Sequence, residues 1–218
     1  MKEPIILHLE TSTSICSVAL SKGENLLAHR ETNVDKSHSS IILDYINSVL
    51  QESEVPLKYL NAISCSTGPG SYTGLRIGVS TAKGLAYGLK IPVIDLPVLD
   101  TLANEMLFRY PDFKYYIPVI DARRMEVYLA VYEKERKIVD FKPMIIENKD
   151  VFNFLDSKNN IILSGYGVEK LSSVLPKESF KIETNIKPCA IYNIRIAYKK
   201  FIEKIFSDSA YLNPIYLK

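Results

Sequence analysis

The stretch from Thr67 to Leu89 reads TGPGSYTGLRIGVSTAKGLAYGL and holds six of the chain's nine glycines. An apolar run, Leu60 to Ser66, precedes it and reads as a buried strand. Thr67 to Ser71 is then a loop, and a helix extends from about Tyr72 to Gly88. Gly68 and Gly70 suit the loop, and Gly88 suits the helix C-cap. Gly74, Gly78 and Gly84 are left inside the helix, where each costs about 1 kcal/mol against alanine. A helix that gives up about 3 kcal/mol of propensity needs close packing to compensate. Gly74, Gly78, Ala82 and Ala86 are spaced by four and form one small-residue stripe, flanked by Leu75, Ile77, Val79, Leu85 and Leu89. Such a stripe admits either the chain's own sheet or a partner's helix at short distance. The two uses are compatible on opposite faces. The loop amides at the helix start could also receive an anion, but no Gly-Lys-Ser/Thr follows, so the loop is not a P-loop.

Outward from this helix the chain alternates strands and helices. Ile5–Glu10, Ile15–Leu20 and Asn25–Thr32 read as strands, with Lys22-Gly23-Glu24 as the turn between the last two. A helix from Ser39 to about Glu52 places apolar residues at 41, 42, 45, 46, 49 and 50 on one face, with Ser37 or Ser39 available as its cap. Ile91–Ile94 reads as a strand, and Val98 to Phe108 as a helix. The second half repeats the first. At an offset of 111 residues Glu10 falls on Asp121, Val18 on Leu129, Ala19 on Ala130 and Leu20 on Val131. The strand entering Gly68-Pro69-Gly70 has a weaker counterpart entering Gly165-Tyr166-Gly167. The expectation is two similar α/β lobes, residues 1–110 and 111–218, facing across a cleft to which each gives one acid and one glycine loop. An amphipathic helix near Ile191–Phe206 is expected in the core, packed on the N-terminal lobe.

Composition sets the remaining bounds. The chain has 218 residues, 47% apolar and 24% charged, which excludes disorder and collagen. A net charge of +2 gives no basic field for binding nucleic acid unaided, so any RNA contact needs partners. No apolar run reaches the roughly 20 residues of a membrane helix, and none resembles a secretory signal. A cytoplasmic protein without membrane contact is expected. Cys16, Cys65 and Cys189 form no paired-thiol motif, and His8, His29 and His38 lack metal-ligand spacing, so neither a disulfide framework nor a zinc site is expected. Asp35, Ser37 and His38 read as a capping serine beside a histidine, since adjacency along the chain is not triad geometry. Arg123-Arg124 reads as a hairpin turn, with contact to an acidic partner or RNA backbone as the alternative. Lys134 to Lys137 reads as a solvated turn.

The string from Thr67 to Leu89 resembles the signature of the TsaB (YeaZ-like) family. Leu9-Glu10-Thr11-Ser12-Thr13 with Cys16-Ser17-Val18-Ala19-Leu20 resembles its first hairpin. Asp121-Ala122-Arg123-Arg124-Met125-Glu126-Val127-Tyr128 resembles its mid-chain motif, with Met125 where glycine is usual. Pro214-Ile215-Tyr216-Leu217-Lys218 resembles its C-terminal motif, with lysine for arginine. Residues 140–200 match loosely.

The resemblance implies an α/β, two-lobed actin/Hsp70/hexokinase-like (ribonuclease H-like) duplicated fold. It implies a role in threonylcarbamoylation of the adenosine beside the tRNA anticodon. There a TsaD-like paralogue performs the transfer with a metal, a TsaE-like ATPase subunit completes the assembly using ATP, and tRNA is met through the complex. TsaD-like chains carry a His-x-x-x-His pair after the strand that follows the glycine-rich helix. The corresponding positions here are near Val98 and Leu102, which offer no ligand atom. This points to a non-catalytic supporting subunit with no cofactor or metal of its own, and against a metallopeptidase. The alternative is a small-molecule kinase or ATPase of the same fold. For that reading Glu10, Thr11, Gly68, Gly70 and Asp121 are the candidate nucleotide-binding residues. The turns after the two acids lack the glycines that wrap a triphosphate, which suits a vestigial cleft. The resemblance further implies that the helices around residues 39–52 and 72–88 serve self-association and binding of the paralogue. The candidate interface residues are Gly74, Gly78, Ala82, Ala86, Leu75, Ile42 and Tyr45, with a homodimer expected when the chain is alone.

Overall fold

A computed structural model describes residues 3–32, 38–146, 160–172, 175 and 180–216. The first strands are β1 (Ile5–Glu10), β2 (Cys16–Lys22) and β3 (Asn25–Thr32), a meander closed at one turn by Gly23 with φ +58°. Helix α1 (His38–Glu52) follows, then β4 (Ala62–Gly68), α2 (Tyr72–Leu89) and β5 (Val93–Pro97). These strands form one sheet in the order β3-β2-β1-β4-β5, with β1 antiparallel to β2 and parallel to β4. Helix α3 (Val98–Arg109) leads to β6 (Tyr115–Asp121), β7 (Glu126–Glu133), β8 (Arg136–Ile145), β9 (Ile161–Tyr166), α4 (Glu169–Ser172) and β10 (Lys181–Glu183). The second sheet has the order β8-β7-β6-β9-β10, which is the first sheet's topology repeated strand for strand. Helix α5 (Asn193–Ile202), preceded by a 3₁₀ turn at Ala190–Tyr192, ends the helical structure.

The chain divides into two compact units, Met1–Val98 with Pro188–Tyr216, and Leu99–Lys187. The division therefore differs from a cut at residue 110, for identifiable reasons. Asp100 of α3 accepts a hydrogen bond from Tyr132 Oη and pairs with Lys137 Nζ at 2.8 Å, both on the second sheet. At the other end, α5 packs on β1, β4 and β5. Lys200 Nζ and Ser207 Oγ both bond Asp95 Oδ1, at 3.3 and 2.7 Å, and Ser207 N donates to Val93 O.

In the first unit α1 and α2 cover one face of the sheet. Ile42, Ile46 and Val49 of α1 and Val79, Ala82 and Ala86 of α2 bury Leu7, Leu9, Val18 and Ile63. On the opposite face Ile6, Ala62, Ile94 and Leu96 meet Ala197 of α5. The second unit's core gathers Ile117, Val119, Leu129, Val131 and Leu163 under Val168 and Leu171. A buried polar link crosses the middle of the first sheet. Ser21 Oγ donates to Gly23 O, so it accepts from His8 Nε2–H at 2.9 Å, and His8 Nδ1 then accepts from Ser64 Oγ at 2.7 Å. Burial without an ionic partner holds His8 neutral, pushing its pKa down to about 3.

Candidate functional site

The first unit's strand ends meet at the start of α2. Glu10 closes β1 and is fully buried. One carboxylate oxygen accepts from Ser12 N at 2.7 Å, and the other accepts from Ser66 Oγ. Burial pushes the Glu10 carboxyl up, against the opposing pull of these hydrogen bonds. Thr11 and Ser12 then run directly over the first turns of α2. Ser71 N donates to Ser12 O at 2.6 Å, and the Ser71 side chain caps the helix by accepting from Gly74 N at 3.3 Å. A Cβ at Gly74 would overlap the Thr11 carbonyl oxygen, and one at Gly78 would overlap Thr11 Oγ1. These helix glycines therefore allow strand-end backbone and helix to touch.

The structure places both sets of sequence-predicted residues in the chain's own packing. Gly74, Leu75, Gly78, Ala82 and Ala86 are buried on the chain's own first sheet, together with Ile42, and Tyr45 packs half-buried against the same core. They present no free stripe to a partner. As a nucleotide cradle, Glu10, Thr11, Gly68 and Gly70 are also already engaged. Ser12 O lies where a Gly70 side chain would begin, Ile215 O lies 2.9 Å from the Gly68 Cβ position, and the Ser71 and Gly74 amides are bonded internally. Ser12 Oγ and Thr67 Oγ1 are buried at this corner without a hydrogen-bond partner among the described residues.

Asp121 closes β6 and repeats the local turn, accepting from Arg123 N at 2.6 Å. It also pairs with Lys170 Nζ of α4 at 2.6 Å, and Lys170 holds Arg124 O at the same distance. The two acids do not coincide. Leu9 pairs with Val18 under α2, whereas Val119 pairs with Leu129 under α4. Between the ladder pairs that carry the two acids, Glu10 with Ser17 and Asp121 with Val127, the second hairpin is one residue shorter. Alternation along a strand then turns Glu10 away from the α2 face and Asp121 toward the α4 face. The glycine loops are out of step too. Gly165 is level with Val119, while Cys65 is level with Leu9 and Gly68 lies three residues further on.

The outward face of α2 was not legible as a feature. The helix continues past Gly88 to Leu89, and Lys90, with φ +56°, is the C-cap in place of Gly88. Gly84 and Gly88 face open space, with nothing near a Cβ built on either. Beside them Tyr87 is 85% exposed, and Leu43 on the neighbouring α1 is 56% exposed. At the other end of α2 Arg76 stacks 4.0 Å over the Tyr72 ring and donates to Tyr216 Oη at 3.1 Å. Ile215 N donates to Thr67 O at 2.7 Å, so the C-terminal motif stitches the last residues to the end of β4. Val98 and Leu102 begin α3, fully buried and apolar. Arg123 and Arg124 form an exposed turn with φ of +68° and +49°. His38 bonds Thr13 O at 2.8 Å, while Asp35 and Ser37 lie outside the described residues. One group of metal-ligating side chains does converge, His29, Glu31 and Cys189. The spacing along the chain, from which no zinc site was expected, gave no sign of it.

The family model for TsaD, tRNA N6-adenosine threonylcarbamoyltransferase, matches residues 25–191. The TsaB protein of Buchnera aphidicola subsp. Schizaphis graminum is 32% identical over 77% of this chain and 80% of its own length. The chain belongs to the TsaB family. It also falls within the broader family that the TsaD model describes. The Haemophilus influenzae TsaB protein is 29% identical over 100% of this chain and 95% of its own length. These relatives are named as tRNA threonylcarbamoyladenosine biosynthesis proteins. The solved structure of YeaZ from Pseudomonas aeruginosa superposes with a TM-score of 0.85 at 25% identity, covering 98% of this chain and 100% of that one. A glucomannokinase from Arthrobacter shares the fold alone, at a TM-score of 0.52 and 9% identity. The fold is thus the duplicated α/β class of the actin-like ATPases and sugar kinases. Among the described residues no helix is long and apolar enough to cross a membrane.

Proposed function

We propose that this TsaB-family chain acts in tRNA threonylcarbamoyladenosine biosynthesis as a non-catalytic subunit that supports a TsaD-like transferase in the cytoplasm. The family match supports the pathway. The supporting role rests chiefly on the glycine-rich corner. At the corner that the sequence offered as a nucleotide cradle, Thr11 and Ser12 rest on α2, and Glu10 is spent on Ser12 and Ser66. Val98 and Leu102 supply no ligand where the transferase carries histidines. The metal of the transfer step and ATP then belong to the partners, the transferase and a TsaE-like ATPase subunit, and tRNA is met through the complex.

The docking surface in this reading is the outward face of α1 and α2, not the buried stripe. Gly84 and Gly88 let a partner helix approach closely, and Tyr87 and Leu43 supply apolar anchors. The same face serves a homodimer when the chain is alone, so the homodimer and the transferase compete for it. Adding the TsaD-like subunit to the isolated homodimer, followed by sedimentation, tests this. Exchange into a heterodimer is expected. A ternary species that retains the homodimer contact would overturn the shared face, and tRNA modification by this chain alone would overturn the supporting role.

A further inference from the structure

His29 and Glu31 alternate along edge strand β3 and so point to one side of it, while Arg30 between them turns to Glu52 of α1. Cys189 comes from the far end of the first unit's sequence, just before the 3₁₀ turn at Ala190–Tyr192 that packs on β1, β2 and β3. His29 Nε2 and Cys189 Sγ lie 3.6 Å apart, Cys189 Sγ and Glu31 Oε2 3.4 Å, and His29 Nε2 and Glu31 Oε2 3.7 Å. Tetrahedral zinc with ordinary Zn–S, Zn–N and Zn–O bonds has ligand–ligand edges of about 3.3–3.6 Å. The three donors therefore already form a triangle close to one face of that tetrahedron.

We propose that His29, Glu31 and Cys189 bind a borderline divalent cation of the zinc type, with water as the fourth ligand. The donor set decides the class of ion. A thiolate and an imidazole favour zinc or cobalt over magnesium or calcium. Ser17 stands behind the group as its support. In the metal-free chain its Oγ accepts from Ala190 N at 3.0 Å and lies 2.9 Å from His29 Nε2. The cation takes the Nε2 lone pair in place of that contact, while the Ser17–Ala190 bond keeps the 3₁₀ turn fixed. In the metal-free chain the Cys189 thiol donates to Glu31 Oε2. Binding forms a sulfur–metal bond and releases that thiol proton to solvent, while the imidazole and carboxylate lone pairs complete the set. The cation ties the returning segment, with α5 behind it, to the exposed edge of the first sheet. Cys16 and Cys65 are both buried, whereas Cys189 is only partly so.

The untagged full chain, kept reduced with a phosphine, is titrated with cobalt(II) and then zinc(II). About one equivalent of cobalt should bind, with a thiolate-to-metal charge-transfer band and the intense visible bands of a tetrahedral site. Zinc should displace it and raise the melting temperature. Cys189→Ser should abolish the charge-transfer band, and Glu31→Gln, a change at an exposed side chain, should weaken binding at least roughly tenfold. Absence of saturable binding to the wild type, a cobalt spectrum without thiolate character, or unchanged affinity in Glu31→Gln and His29→Gln would overturn the proposal.

Discussion

The ends of β1 and β6 use the same chemistry to different ends. Each strand closes on an acid whose carboxylate accepts the amide two residues on, Ser12 N for Glu10 and Arg123 N for Asp121. Glu10 is sealed against Ser66, with the backbone after it pressed on a glycine helix. Asp121 is half-exposed and salt-bridged to Lys170, beside an arginine turn. A repeated topology therefore does not repeat a site. The face of the strand on which an acid falls, and the glycines in the adjoining helix, decide whether the corner is filled by protein. In the first unit polar groups became structural; in the second they stayed at the surface.

This contrast predicts where the chain is vulnerable, and the largest effect is acid sensitivity of the first unit. The folded pKa of His8, about 3 against an ordinary value of 6.5, is depressed. Its contribution is thus present above pH 6.5 and lost as pH falls toward 3, on the order of 5 kcal/mol in all. Denaturation of the wild type at pH 7 and pH 4 should show most of that loss, and His8→Asn should show far less. Next comes the glycine contact. Gly74→Ala should destabilise by about 3 kcal/mol, the upper range for overpacking, because the atom it meets is a backbone oxygen. Gly84→Ala should stabilise by up to about 1 kcal/mol, since only helix propensity changes. Equal melting temperatures for the two variants would break the distinction between the inner and outer faces of α2.

The two acids provide finer tests. Glu10→Ala orphans the buried Ser12 amide and should cost roughly 1–3 kcal/mol. Burial raises the Glu10 pKa above its ordinary 4.5, so its contribution is fullest below that value and declines as pH rises through the folded pKa. The wild-type advantage over Glu10→Ala should therefore shrink from pH 4 to pH 8. Asp121→Asn, at a partly exposed pair, should change stability by no more than about 1 kcal/mol. A penalty for Asp121→Asn as large as that for Glu10→Ala would show the two corners to be equivalent after all.

Much of the fold was legible because its signals are local. The alternation of Leu7 and Leu9, the four-residue spacing of the α2 stripe and the recurrence of an acid after a short apolar run each report one element. The offset of 111 residues found the duplicated meander, but a constant offset carried Glu10 onto Asp121 although one points away from its helix-covered face and the other toward it. The stripe signalled close packing without saying against what. Its neighbour, the Thr11 backbone, lies some sixty residues away along the chain. The convergence of His29, Glu31 and Cys189 was invisible for the same reason. Their proximity depends on the last segment returning to the first sheet.

In the proposed reading the open face of α2, and not its buried stripe, meets a TsaD-like transferase. Calorimetric titration of that transferase into wild type and Gly84→Leu tests it most directly, with the melting temperature of each recorded alongside. The variant should melt no lower than the wild type yet bind the transferase at least roughly tenfold more weakly, about 1.4 kcal/mol. Equal binding by a Gly84→Leu chain of undiminished stability would contradict the claim.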